Sequence, residues 1–163
     1  MTSPDLVASA RLESPIGEIE VSVNEEGALV AVRFVDQDDP PATGSVAECE
    51  LAVRQLEQYI AGERTIFDLE IEPTGSDFER RVWDDLVQIP YGSTETYGAI
   101  ARRLGDPGAS RAVGTANARN PIAIIVPCHR VVGSGGELTG YAGGLWRKKW
   151  LLAHESGQGS LEF

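Results

Sequence analysis

Pro127-Cys128-His129-Arg130 sets a thiol beside an imidazole and a guanidinium, the residue types from which a cysteine nucleophile is built. A free cysteine titrates at about pH 8.5, so little of it is thiolate at neutral pH, and a nucleophile needs a base or a cationic setting to do better. His129 and Arg130 can supply one or the other. Neighbours on an extended segment point to opposite sides, so Cys128 and His129 would meet only across a turn or through a bridging water. A Cys-His pair by itself is more often accidental than catalytic, and its surroundings must decide. The other cysteine, Cys49, lies on an apolar helical stripe and reads as a small buried hydrophobe. Two cysteines are too few for a disulfide framework and lack the paired spacing of a zinc site, so both thiols are expected to be reduced.

The element delivering Cys128 reads as a short buried strand, Ala123 to Val126, an apolar run bounded by Pro121 and Pro127. Upstream, Tyr97 to Leu104 and Ala109 to Arg119 form two helical segments separated by Gly105-Asp106-Pro107-Gly108, a helix-turn-helix pattern. In the second segment Ala109, Ala112, Val113 and Ala116 are expected to face inward, leaving Arg111, Gly114, Thr115 and Ala118 outside. That outer face is nearly bare apart from one long cation. It suits close approach by DNA with the guanidinium projecting, or, equally, a tight helix contact. Ser76-Asp77-Phe78-Glu79 has the form of a capping box opening a helix whose buried face is Phe78, Val82, Leu86 and Ile89, broken at Pro90-Tyr91-Gly92. Beyond Val131-Val132 come the turn Gly133-Ser134-Gly135-Gly136, the run Leu138 to Tyr141, the loop Ala142-Gly143-Gly144 and an amphipathic helix from Leu145 to Glu155 closed by Gly157.

In the first half, Ile19, Val21 and Val23 alternate with Glu18, Glu20, Ser22 and Asn24, a strand with one wet face. Leu29 to Val35 and Leu6 to Leu12 complete a small antiparallel sheet. Asp36 to Gly44 is a solvated loop, and Val46, Cys49, Val53, Leu56 and Ile60 form a helical stripe able to cover the sheet, ended by Gly62. Glu70 to Gly75 links the halves, giving an acidic α/β domain over 1–74 and a second domain over 75–163. The residues leading to Phe163 carry no pattern and are expected to be disordered or foreign to the native chain.

A net charge of -11 over 163 residues is an unpromising total for a polyanion-binding protein. Its distribution softens the objection. Up to Gly75 there are 16 acidic residues against 4 basic ones, whereas from Ser76 onward there are 9 against 10. Only the second half is suited to face nucleic acid. Abundant acid with only Lys148 and Lys149 for lysine resembles proteins of salt-accumulating organisms. No apolar run approaches the roughly 20 residues of a membrane span, and Met1-Thr2-Ser3-Pro4-Asp5 lacks the regions of a signal peptide, which points to the cytoplasm.

Asn120-Pro121, Pro127-Cys128-His129-Arg130-Val131-Val132, Tyr141-Ala142-Gly143-Gly144 and Trp150-Leu151-Leu152-Ala153-His154-Glu155, in that order, resemble the O6-alkylguanine-DNA alkyltransferase family. The likeness extends back through Arg111-Ala112-Val113-Gly114 and Tyr97-Gly98 to the helix at Ser76. The acidic half adds little to it. The resemblance implies an α+β fold: a ribonuclease H-like sheet and helix, followed by a mostly helical, winged helix-turn-helix-like domain carrying the active cysteine.

By the same resemblance, Cys128 accepts the alkyl group from O6 of a flipped guanine, or from O4 of thymine. His129 is the base acting through a water, Glu155 sets the imidazole tautomer, and Asn120 ties the helix-turn-helix to the active-site segment. Tyr97 donates to the guanine N3. Arg111 is inserted into the duplex, with Thr115, Ala118 and Arg119 beside it on the DNA face. The base pocket comprises Cys128, Val131, Tyr141, Ala142 and Gly143, with the Cys128 and Val131 carbonyls and the Ala142 amide reading base edges. Some members have proline where this chain has Ala123 and serine where it has Ala142, which affects pocket tolerance rather than the chemistry. A thioether has no good leaving group, so each molecule acts once, as a single-turnover methyltransferase without cofactor. Some relatives hold a structural zinc near the start; with Cys49 and no histidine in the first half, no metal is expected here. The implied partner is double-stranded DNA containing O6-alkylguanine, engaged by a monomer with no membrane and no obligate protein partner. Two rivals remain: a non-repairing damage sensor, which would lack the acceptor cysteine, and a cysteine hydrolase, for which nothing marks an oxyanion hole.

Overall fold

The computed structural model describes residues 8–36, 38–42 and 46–157, except the side chains of 46 and 48. The chain divides into two compact units, Met1–Thr74 and Gly75–Phe163. The architecture is the α+β one expected, with an antiparallel sheet in the first unit and mostly helices in the second. Among the described residues, no helix is long and apolar enough to cross a membrane.

In the first unit, β1 (Ala8–Leu12), β2 (Glu18–Val23) and β3 (Leu29–Val35) form a sheet in that order, both pairs antiparallel. The turn after β2 is held by Asn24, whose Oδ1 accepts from the Glu26 and Ala28 amides at 3.0 Å each, while Gly27 takes the positive φ of 81° that the turn requires. The expected wet face of β2 is not wet. Glu20, Ser22 and Asn24 are buried, and Glu20 lies between Arg11 at 3.0 Å and Arg33 at 3.1 Å, so the two guanidiniums of flanking strands cover the carboxylate. Cross-strand pairing, invisible in one strand's alternation, supplies that cover. The helix α1 (Val46–Ile60) buries Cys49, Ala52, Leu56 and Tyr59, a stripe turned slightly from the one read in sequence, with Val53 and Ile60 only half-buried. Cys49 is wholly buried, as a structural thiol should be. Leu6, most of the loop's end at 43–45, the Val46 side chain and the tail from 158 to Phe163 lie outside the described residues.

The second unit begins with α2 (Asp77–Val87), opened by the anticipated capping box: the Glu79 amide donates to Ser76 Oγ at 3.1 Å and the Ser76 amide to Glu79 Oε1 at 3.0 Å. Val82, Leu86 and Ile89 are buried as expected, Phe78 is only half-buried, and Trp83 joins the core. Trp83 donates from Nε1 to the Ala116 carbonyl at 2.9 Å, which pins α2 to α4 (Ser110–Ala118). The Trp83 ring also lies against Gly75, where an added Cβ would stand 2.7 Å from Cζ3. Gly75→Ala is therefore expected to cost about 1–3 kcal/mol through overpacking, read as a lower urea midpoint; an unaltered midpoint would contradict this packing.

Between them run β4 (Glu95–Thr96) and α3 (Tyr97–Arg103), which packs on α4. Thr96 caps α3 by accepting from the Ala99 amide at 3.1 Å. On α4 the inward set differs from expectation. Val113, Ala116 and Asn117 are buried, Ala109 is half-buried and Ala112 is exposed, because Trp83 and the segment of Cys128 draw Asn117 inward and rotate the face.

The segment at 123–126 is not a strand. It is a tight turn in which the Val126 amide donates to the Ile122 carbonyl at 3.0 Å and Ile124 takes a φ of 72°. A β-branched residue in the left-handed region is an outlier costing on the order of 1–3 kcal/mol, so the surroundings must impose it. The turn leads into a single 3-10 turn, Cys128–Arg130, followed by β5 (Val131–Val132), paired parallel to β4, and later by α5 (Leu145–Glu155).

Candidate active site

Cys128, His129 and Arg130 sit on the 3-10 turn, all buried. Asn120 braces the approach: its Oδ1 accepts from the Ile122 amide at 2.9 Å and its Nδ2 donates to the Val126 carbonyl at 2.8 Å. Those bonds close the turn around Ile124 and set where Cys128 emerges. Asn117, from α4, donates to the Cys128 carbonyl at 3.3 Å and so ties α4 to the Cys128 segment.

His129 Nε2 lies 2.7 Å from Glu155 Oε2 at the end of α5, with both side chains fully buried. Arg130 grips the same carboxylate, Nε to Oε1 at 2.8 Å and Nη2 to Oε2 at 2.9 Å, and spends Nη1 on the Ile89 carbonyl at 2.7 Å. A bidentate guanidinium neutralises a carboxylate that would otherwise oppose the α5 dipole. Burial alone would raise the Glu155 pKa, but His129 and Arg130 hold its carboxyl well below the usual carboxylate range. Burial lowers the His129 pKa despite the neighbouring Glu155. A neutral imidazole facing an ionised, acceptor-only carboxylate must carry its hydrogen on Nε2. Its Nδ1, buried and without a hydrogen-bond partner among the described residues, is then the basic nitrogen.

Burial pushes the Cys128 thiol up, opposed by the Asn120 amide and the Lys148 ammonium. Burial thus favours the neutral thiol, and a thiolate would form only with a proton acceptor at hand. Lys148 is fully buried and donates to the Val131 carbonyl at 2.6 Å and the Thr139 carbonyl at 2.7 Å, with its pKa pushed down by burial to about 8. Thr139 in turn shares a 2.8 Å hydrogen bond with the Tyr97 hydroxyl, and the Tyr97 ring packs beside Gly114, where a Cβ would meet Cδ1 at 3.7 Å. Val131, Lys148, Thr139 and Tyr97 therefore form one connected rim. Tyr141 has its hydroxyl buried and its pKa raised well above 10 by burial, so it stays a neutral phenol; Gly143 accepts from Arg147 at 2.8 Å.

Residues 77–157 match the family described as 6-O-methylguanine DNA methyltransferase, DNA binding domain, and residues 8–73 match its ribonuclease-like domain. The chain belongs to this methyltransferase family. A methylated-DNA--protein-cysteine methyltransferase of Mycolicibacterium paratuberculosis is 52% identical over 148 residues, covering 88% of this chain and 89% of the relative. One from Methanosarcina acetivorans is 51% identical over 150 residues, covering 90% and 96%. The crystal structure of the Mycobacterium tuberculosis O6-methylguanine methyltransferase superposes with a TM-score of 0.83 at 46% identity over 93% of both chains. The structure of Mycobacterium tuberculosis OGT in complex with DNA gives 0.85 at 46% identity, covering 94% of this chain and 96% of that one.

Within this methyltransferase fold, the residues singled out from sequence fall into three groups. Cys128, His129, Glu155 and Asn120 gather at the 3-10 turn, and Tyr97 joins the rim through Thr139. Arg111, Thr115 and Ala118 are exposed on α4, as is Arg119 at its C-terminal cap, although Arg119 is already paired with Glu79 at 3.3 Å. The Ala142 amide makes no hydrogen bond among the described residues and is free to donate, whereas the Val131 carbonyl already accepts from Lys148 and the Cys128 carbonyl from both Asn117 and the Val131 amide. A base edge would have to share those carbonyls. Among the described residues no cluster of His, Cys, Asp or Glu could hold a metal ion. Sequence reading missed Asn117, Thr139 and Lys148, and it placed Arg130 beside the thiol as a cation rather than on the Glu155 carboxylate. For Lys148 a signal existed: it stands three and seven residues before Leu151 and Glu155, on the buried face of α5.

The His129 shift carries a pH prediction. Its ring titrates below 6.5, so it is neutral and able to accept a proton through the neutral range. The rate of alkyl transfer from a free O6-alkylguanine base is expected to hold from pH 8 down to about 6.5 and to fall only below it, by loss of the basic Nδ1. A single-turnover profile checks this; a midpoint above 6.5 would contradict it.

Proposed function

We propose that this protein repairs alkylated DNA directly, moving a methyl or larger alkyl group from O6 of guanine irreversibly onto Cys128. One observation carries the reading: a buried Cys128 beside a His129 whose Nε2 is fixed by Glu155 at 2.7 Å, leaving Nδ1 basic and unpartnered. The thiol proton passes to Nδ1 through a water as the sulfur attacks the alkyl carbon. The carbon–O6 bond breaks, and its electron pair stays on guanine. Negative charge on the purine is met by the Tyr97 hydroxyl at N3; the Tyr97–Thr139 hydrogen bond can run in either direction, and Thr139 would be the donor when the phenol hydrogen turns to the base. The product thioether stays on the protein.

O6 lies on the major-groove edge of a stacked base, so the nucleotide must leave the stack, at a cost of a few kcal/mol. Arg111, exposed on a helix face otherwise made of small side chains, can fill the gap. Thr115, Ala118 and Arg119 would line the DNA face, and Val131, Tyr141, Ala142 and Gly143 the base pocket. Nothing in this chemistry requires a second subunit or a cofactor, and we read the protein as a cytoplasmic monomer; O4-alkylthymine is a second substrate of the same geometry.

The test is a titration with excess duplex containing O6-methylguanine. One lesion disappears per protein molecule and no more. Repeated turnover, or binding without loss of the lesion, would overturn the reading.

A further inference from the structure

Between β5 and α5 the chain from Ser134 to Gly140 forms no helix or strand, and of its residues only Thr139 is drawn partly inside. Two contacts fix it there. Its carbonyl accepts from the buried Lys148 ammonium at 2.7 Å, and the same ammonium reaches the Val131 carbonyl on β5 at 2.6 Å. Its hydroxyl meets the Tyr97 hydroxyl at 2.8 Å. A buried lysine is tolerated only with its protons paired, so α5 and β5 together hold the Thr139 main chain in one place.

Tyr97 is equally constrained. It is the first residue of α3, directly after the Thr96 cap and beside β5 through the pairing of Thr96 with Val132, and its ring packs over Gly114 of α4. Two separate parts of the fold thus bring the phenol oxygen and the threonine hydroxyl together. Each group has a single hydrogen, so only one of them donates in this bond. If Tyr97 gives its hydrogen to Thr139, none is left for a base. If it gives that hydrogen to a base, the Thr139 hydrogen falls to the phenol oxygen and polarises the phenol O–H toward its acceptor.

We infer that Thr139 is a positioning residue for alkyl transfer: its hydroxyl orients and strengthens the Tyr97 donor as negative charge reaches the purine N3. The inference rests on the repair function proposed above and deepens it, because it traces stabilisation of the leaving base to a residue that acts through Tyr97. Lys148 serves the same end at one remove, by holding the Thr139 main chain against β5.

Single-turnover transfer from duplexes carrying either O6-methylguanine or the same purine with C–H in place of N3 tests this with Thr139→Val, Thr139→Ser and Tyr97→Phe. Thr139→Val keeps the branched shape and removes the hydroxyl, so transfer from O6-methylguanine is expected to slow roughly 3- to 10-fold, the worth of one neutral hydrogen bond. Thr139→Ser restores most of the rate. On the purine lacking N3, and in a Tyr97→Phe background, Thr139→Val is expected to cause no further loss, because the contact it tunes is already gone. A parent rate for Thr139→Val on O6-methylguanine, the same fold loss on both purines, or full additivity with Tyr97→Phe would overturn the inference and leave the repair reading standing, since the parent protein still alkylates Cys128. Failure of the parent to alkylate Cys128 would refute the repair reading and the inference with it.

Discussion

Cys128→Ser is expected to abolish alkyl transfer, by on the order of 10^3-fold or more, while leaving duplex binding within a few-fold of the parent. A serine hydroxyl is far harder to ionise than a thiol and is a weaker nucleophile toward saturated carbon, and His129 Nδ1 is too weak a base to compensate. The substitution is nearly isosteric, and the 3-10 turn is held through main-chain atoms and the two asparagines, so the fold should persist. Single-turnover assays on duplex and on free base, alongside an affinity measurement, check both halves. Transfer at the parent rate would remove Cys128 from the reaction.

Glu155→Gln is expected to slow transfer by on the order of 10^2–10^4-fold and to lower stability by about 3–5 kcal/mol. Arg130 donates to both Glu155 oxygens, so the glutamine carbonyl will turn toward the guanidinium. Its amide nitrogen then faces His129 Nε2 as a donor. That arrangement forces the imidazole hydrogen onto Nδ1 and removes the base. The stability loss arises separately, since Arg130 is buried and would face a neutral partner. Transfer rate on the free base and the urea midpoint read the two effects independently. A full rate with a lowered midpoint would leave Glu155 a structural role only.

Legibility in the sequence followed the range of the interaction. The capping box at Ser76 and Glu79, the stripe on α2 and the alternation of β2 are local patterns, and each was readable because neighbours in the chain are neighbours in space. Glu20, by contrast, reads as exposed until Arg11 and Arg33 are brought alongside from other strands. The turn at 123–126 was misread as a strand because an apolar run between prolines carries no sign that Asn120 will fold it back or that Ile124 will take a positive φ. Cys128 and His129 were recognisable by type, but their geometry was not: the 3-10 winding is dictated by that same turn. Lys148 was overlooked, and the burial of Arg130 against Glu155 went unread, because a charged residue in sequence is taken for a solvated one, and only the carbonyls and carboxylate converging on them explain their burial.

The most direct measurement is the mass of the protein and of its peptides after reaction with a duplex carrying O6-methylguanine. The predicted result is a single added methylene, located on the peptide containing Cys128, in step with loss of the lesion. Methylation of Cys49 or of any other residue, or a repaired oligonucleotide with the protein mass unchanged, would contradict the account.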